Sequence, residues 1–539
     1  MTMQEPQDDF EVDAHQVKAW LSAPEEIAFL DLREHGQYGE GHPFLAVPLP
    51  YSRLELEVRR LLPRRDVRIV LLDDADGVAE LAARRLKSLG YPRLHKARGG
   101  AAGWAGAGFT LYQGVNVPSK TLGELVEEAC ATPHLTAIQL SEMRESGKAL
   151  LHLDGRPLEE FRRMTVPGAR CCPNAELGHR IPALVDDPET PVLVSCAGRT
   201  RSIIGAQSLI ALGLPNPVYA LENGTQGWEL AGLALERGAE RSYPEALSEA
   251  EIAASRARGR EAIRRYGLSV VDEMTLDAWA RDLERTFYCF DVRGAEDYAA
   301  GHHPLASHAP GGQLVQASDG WIAVRGARIA LVDDTGSRAA MAALWLRAMG
   351  HDVTILDPDC ERCEWTREAP HGLFRGPPLE VPGLAVLAPE DLPGLLAAGA
   401  QILDFRHSQD YRRGHIEGAI WAIRPRLGQL APDPARPLVL IAEDPLKAAL
   451  AAVDLEELGC AEIRYMPVDE ASWAAAGLRV VESEGPSDAE AIDRLLFVHD
   501  RHAGNHEAMR AYLAWELGLV GQLDAQERAV FDLETLQPR

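Results

Sequence analysis

The stretch Ser195-Cys196-Ala197-Gly198-Arg199-Thr200-Arg201-Ser202 carries residue types suited to nucleophilic chemistry at sulfur. It follows the apolar run Val192–Val194, which reads as a buried strand, and ligands of open α/β sheets bind at the carboxyl ends of strands. Gly198 and the small Ala197 let the backbone curl so that successive N–H groups converge on one point, an anion nest. A helix starting near Ser202 adds its N-terminal dipole, and Arg199 and Arg201 add positive charge. These features should all lower the pKa of Cys196 from about 8.5 and make a thiolate available at neutral pH. Such a thiolate can attack an anionic or electrophilic substrate. The expected site is Cys196 as the nucleophile, with Ala197, Gly198, Arg199, Thr200, Arg201 and Ser202 as the binding loop. Arg180 is expected in the pocket wall, with Glu176 a further candidate there.

Other reactive side chains read as structural. Cys171 and Cys172 follow a Pro-Gly-Ala turn and are expected to be ordinary loop or strand residues. Cys360 and Cys363 form a C-x-x-C with no second ligand pair at zinc spacing, so neither a metal site nor redox chemistry is expected there. His302, His303 and His415 are expected to be structural.

The elements that must hold the loop repeat four times, and such self-similarity signals a repeated unit. One phrase reads FLDLREHGQYGEGH from Phe29, LLHLDGRPLEEFRRM from Leu150, CFDVRGAEDYAAGHH from Cys289 and ILDFRHSQDYRRGHIEGA from Ile402. Its anchors are Asp31, Asp154, Asp291 and Asp404. Each anchor is followed by an apolar run, an Ala/Leu-rich stretch ending in Gly90, Gly213, Gly350 or Gly459, and then Trp104, Trp228, Trp365 or Trp473. Short apolar runs bounded by polar turns are buried strands, and strand–helix–strand in about 30 residues is a parallel crossover. The expected fold is therefore α/β: four small parallel sheets flanked by helices, plus a C-terminal helical tail. The expected limits are 8–115, 123–243, 268–375 and 378–484 for the units. A linker helix is expected at 246–267, opened by the capping box Ser248-x-x-Glu251. The tail, 485–539, reads as two helices broken near Gly504 and packed on the repeats. Asp73 and Asp333 stand where unit two has its cysteine, and unit four has Ala442 or Glu443 there. All three of these units are expected to be catalytically dead.

The D-x-R phrase with its aromatic, the V-L-V-S-C-A-G-R-T-R-S loop and the closing G-W together resemble the rhodanese sulfurtransferases over about residues 10–480. The organisation is similar to multidomain bacterial members with one active and several degenerate domains. The resemblance implies four tandem rhodanese-like domains, with Cys196 carrying sulfur as a persulfide and residues 197–201 as its cradle. It further implies that Arg201 closes the loop and that Asp154 and Arg156 support the fold and the active-site wall. It implies ping-pong transfer of the outer sulfur of thiosulfate, or of a related persulfide, to a thiophilic acceptor such as cyanide or a thiol. Unit two departs from the family at Met164-Thr165-Val166, where G-H-I is usual; unit four keeps Gly414-His415-Ile416.

Composition limits the alternatives. The chain has 539 residues and 55 Lys+Arg against 81 Asp+Glu, a formal net charge of −26, which opposes nucleic-acid binding. No apolar run approaches the roughly 18 residues that span a membrane. The acidic N-terminus reads as no secretory signal, and eight cysteines are too few for a disulfide scaffold. The expectation is a cytoplasmic protein without cofactor or metal, acting on a small anionic sulfur donor and a thiophilic acceptor. Uncovered repeat faces are compatible with a homodimer. Two other readings share the loop type. A rhodanese-like phosphatase or arsenate reductase would normally have five residues between Cys and Arg, where this chain has four. A non-enzymatic sulfur-carrier scaffold would fit the three dead units.

Overall fold

The protein was analysed as a computed structural model that describes residues 10–360, 363, 365–374 and 376–539. Four parallel sheets follow one another along the chain, each with the same spatial order of its own strands, first, fifth, fourth, second, third. In the second sheet these are His134–Leu135, Val218–Leu221, Val192–Ser195, Leu151–Asp154 and Arg170–Cys171. The central strands are mostly apolar because helices cover both faces. Val192–Ser195 and Leu438–Ala442 are buried at every residue.

Register makes the four units comparable. The anchors Asp31, Asp154, Asp291 and Asp404 pair with Leu72, Ser195, Val332 and Ile441. The next residue in each neighbouring strand is then Asp73, Cys196, Asp333 or Ala442. This settles unit four, where Ala442 rather than Glu443 takes the cysteine's place.

The D-x-R phrase is the same buried device four times. The Arg156 guanidinium donates to both oxygens of Asp154 at 2.8 and 2.7 Å and to the Met164 carbonyl at 2.6 Å. Arg33, Arg293 and Arg406 do the same with Asp31, Asp291 and Asp404 and with the carbonyls of Gly41, Gly301 and Gly414. A planar, bidentate pair fixes two backbone segments at once, which Lys cannot do. The histidines of the repeats are structural: His42, His302 and His415 each stack on Tyr38, Tyr298 or Tyr411 and bond its carbonyl through Nδ1.

Units one to three share one continuous core, while unit four has its own. Unit three's Val324–Arg325 joins unit one's sheet antiparallel to Ile27–Ala28. Unit four docks on unit one through buried Arg424, which donates to both oxygens of Glu55 and to Asp454. The helix Thr200–Ala211 is buried on nearly all sides, and unit three's Trp345 donates to its Ser208 hydroxyl at 2.8 Å.

Several expectations change. The linker helix is Glu249–Tyr266, capped by Ser248 with Glu251 and ended by Gly267 at φ 55°. A helix at Val117–Cys130, opened by Asn116 and Pro118, crosses the expected gap between units one and two. Trp104, Trp228 and Trp473 lie buried on short helices, but Trp365 is 45% exposed, beneath the Arg293 guanidinium. Asp357-Pro358-Asp359 replaces the Gly-initiated helix start in that unit. The tail has one long helix, His506–Gln522, and a short one, Ala525–Arg528, and residues 485–505 form turns rather than a helix. There the apolar side chains diverge: Leu495 packs at Gly39 of unit one, whereas Phe497 packs on Trp515. Residues 8 and 9 of the expected first unit lie outside the described residues.

Replacing Asp404 by Asn leaves the Arg406 guanidinium buried without its counter-charge. The expected loss is about 3 kcal/mol in unit four, read as faster amide hydrogen exchange in Gln401–Asp404 and Leu438–Ala442.

Candidate active site

Cys196 is the first residue after the strand Val192–Ser195 and is 2% exposed. Its thiol sulfur accepts from the Ser202 hydroxyl at 3.0 Å. The short helix Gly224–Leu230, which follows the neighbouring strand Val218–Leu221, packs its start on this loop: Thr225 N–H donates to the Cys196 carbonyl at 2.8 Å and Gln226 N–H to that of Ala197 at 3.2 Å. Gly224, at φ 53°, permits this approach, since a Cβ there would stand 2.2 Å from the Cys196 carbonyl oxygen. Unit one repeats the contact with Gly100 over Asp73.

The sister units show where an anion sits. The Asp333 carboxylate accepts from the N–H groups of Thr335, Arg338 and Ala339 at 3.5, 2.9 and 3.2 Å. The Asp73 carboxylate accepts from Ala75 and Ala79 at 3.0 and 3.1 Å. Those carboxylates fill their own nests, which closes units one and three to an incoming anion. The positions matching Thr335 and Arg338 in unit two are Gly198 and Arg201, and the cysteine replaces the carboxylate.

The arginines act differently from expectation. Arg199 turns away and forms a bidentate pair with Glu124 at 2.8 and 2.9 Å. Arg201 pairs with both oxygens of Glu160 at 2.8 Å, yet lies close enough to favour the Cys196 thiolate. Arg156 is held in its Asp154 pair behind the site and favours the thiolate more weakly. Arg180 is not in this wall: it bonds Glu176 and the carbonyls of Pro244 and Glu245. Glu176 in turn meets unit three's Arg338, so both residues belong to the contact between units two and three.

Sequence reasoning missed the roof. The tail helix His506–Gln522 lays Tyr512 and Glu516 over Gly198; a Cβ on Gly198 would stand 2.9 Å from each. Thr200 donates to Glu516 Oε1 at 2.8 Å. Arg501 lies over the Tyr512 ring, and Lys120 over the rings of Tyr512 and Trp515. Nothing in the tail's residue pattern announces this docking.

The roof reverses the expected Cys196 titration. Burial pushes the thiol above its ordinary value; Arg201 and the Ser202 hydroxyl pull it down, and the Glu516 charge adds to the rise. Desolvation outweighs the cations because both arginines are partly neutralised by their own carboxylates. Burial likewise lowers Lys120 to about 8. Cys171 is pushed up to about 12 by burial and Cys172 well above the thiol range, which suits inert core thiols. Cys360 and Cys363 are joined by a disulfide in unit three. Among the described residues no helix is long and apolar enough to cross a membrane.

A family model described as "Rhodanese-like domain" matches residues 13–107, 136–231 and 275–362. The crystal structure of a thiosulfate sulfurtransferase from Pseudomonas aeruginosa is similar over 97% of this chain and 99% of its own, at 39% identity and a TM-score of 0.85. A curated relative, the HTH-type transcriptional regulator Rv0324 of Mycobacterium tuberculosis, is 33% identical over 105 residues; this is 20% of this chain, and the chain spans 45% of that protein's length. With three matched segments covering half of its length and a full-length structural relative, the chain belongs to the rhodanese-like domain family.

Proposed function

We propose that this protein is a sulfurtransferase that carries sulfane sulfur on Cys196, from thiosulfate or a related persulfide to a thiophilic acceptor. The observation that carries this reading is the exchange of a nest-filling carboxylate in units one and three for a thiol in unit two. In the first half-reaction the Cys196 thiolate attacks the outer sulfur of thiosulfate. The donor's S–S bond breaks, and sulfite leaves with the electron pair. The terminal sulfur of the persulfide then takes the place of the Asp333 carboxylate, facing the N–H groups at Gly198 and Arg201 as an oxyanion faces its donors. A thiol or cyanide removes it in the second half-reaction.

On this reading all four sheets are rhodanese-like, within 8–115, 123–243, 268–375 and 378–484. The fourth unit's shared strand order and D-x-R pair support including it. Unit two alone is active; the others wall the site and hold the tail. The setting is cytoplasmic, where a catalytic thiol stays reduced.

Protein treated with thiosulfate should gain about 32 Da on Cys196, and Cys196→Ser should abolish both this adduct and thiosulfate–cyanide transfer. Hydrolysis of p-nitrophenyl phosphate without any sulfur adduct would favour the phosphatase reading instead, and no reaction of either kind would favour a scaffold.

Loading needs the thiolate, and the buried thiol titrates above its ordinary value. The loading rate should therefore rise with pH from about 7 to beyond 8.5 and fall away as the medium is acidified. Arg201→Met removes the main charge that favours the thiolate. It should move this profile to higher pH and slow loading at neutral pH on the order of tenfold, as measured by stopped-flow single turnover.

A further inference from the structure

Over the Cys196 loop hangs a carboxylate contributed by the tail. Glu516 is 1% exposed, and its Oε1 accepts from the Thr200 hydroxyl at 2.8 Å and from Tyr512 at 3.4 Å. Its Oε2 is buried with no hydrogen-bond partner and stands over the loop, 2.9 Å from where a Gly198 Cβ would be. A buried carboxylate oxygen left without a donor is destabilising and rare in folded proteins. This one is held by a residue of the cysteine loop itself, since Thr200 opens the helix that follows Cys196. The charges around it come from four elements. Lys120 is buried and Arg501 half-buried beside Tyr512, Arg201 lies across the loop, and the Cys196 thiol, Arg199 and Glu124 also lie within reach of its charge. A carboxylate here has a use toward a neutral substrate that must give up a proton.

We propose that Glu516 Oε2 is the proton acceptor for a thiol acceptor substrate, so that the loaded enzyme discharges to thiols in preference to acceptors that carry no proton. This rests on the Cys196 persulfide reading above. The thiol proton moves to Glu516, and the thiol sulfur attacks the terminal sulfur of the Cys196 persulfide. The Cys196 S–S bond breaks with its electron pair on Cys196, and Glu516 passes the proton to the transferred sulfur. A thiol and an enzyme persulfide anion become a hydropersulfide and a Cys196 thiolate, with charge and electrons conserved and no outside oxidant or reductant. The oxygen held by Thr200 fixes the carboxylate while the other stays free for the proton.

The test is single-turnover discharge of full-length protein preloaded with thiosulfate, followed as loss of the mass adduct. One arm uses 2-mercaptoethanol and the other sulfite, whose attacking sulfur has no proton to lose. Glu516→Gln should slow thiol discharge about 100-fold while changing sulfite discharge less than about threefold. Formate should restore thiol discharge to Glu516→Ala without affecting sulfite. Should neither variant fold, the wild-type protein still decides: thiol discharge should show a normal solvent deuterium isotope effect that sulfite discharge lacks. Equal slowing of both arms, absence of formate rescue, or an inverse isotope effect with the thiol overturns the proposal. Failure of wild-type protein to acquire the adduct overturns the persulfide reading beneath it, an outcome distinct from loading with unselective discharge.

Discussion

Backbone N–H groups that converge at the end of a parallel strand require a negative partner, because their donors lie in a loop where no strand or helix satisfies them. The four units meet or avoid this constraint in different ways. Asp73 and Asp333 supply a permanent carboxylate, and unit four places Ala442 at that position. Unit two supplies a thiol, whose sulfur is bonded only from Ser202 among the contacts described above. The same backbone design therefore holds a carboxylate in two units and a thiol in another. The difference is one side chain at one register position.

Charge near the cysteine is arranged by pairing rather than by number. Arg156, Arg199 and Arg201 each hold a carboxylate of their own, so the field at the thiol is far weaker than three free guanidinium groups would create. The tail removes water from the site, and desolvation then prevails over the remaining attraction. The cost is a less ionised thiol at rest. The gain is a dry cradle in which N–H donors act on developing charge more strongly than they would in water.

The degenerate units also shape the molecule around this site. Unit three presses its buried helix Ser337–Ala348 against unit two's helix Thr200–Ala211, and Glu176 with Arg338 ties the two together. Unit one holds the far end of the tail through Lys18 and Tyr112 on Glu527, which keeps the helix His506–Gln522 lying across unit two. Units one and three, which carry no thiol, thus have a mechanical role, since neither can be removed without uncovering part of the core they share with unit two.

Much of this was legible in the sequence. The repeated D-x-R phrase, the apolar runs and the glycine stops determine four parallel units, because local periodicity and bidentate Asp–Arg geometry need no distant partner. The Cys196 loop is equally local, and so is the standing of Asp73 and Asp333 at the cysteine's position. Tertiary structure alone decided where long side chains go and what covers the loop. Arg180 and Glu176 lie on the stretch after Pro173 yet serve the neighbouring unit, and Arg199 turns to Glu124 on a helix that the repeat pattern did not mark. The titration of Cys196 changed direction for the same reason. A loop's residues state its charges, but its dielectric is set by whatever packs on it, and here that is a helix more than 300 positions along the chain.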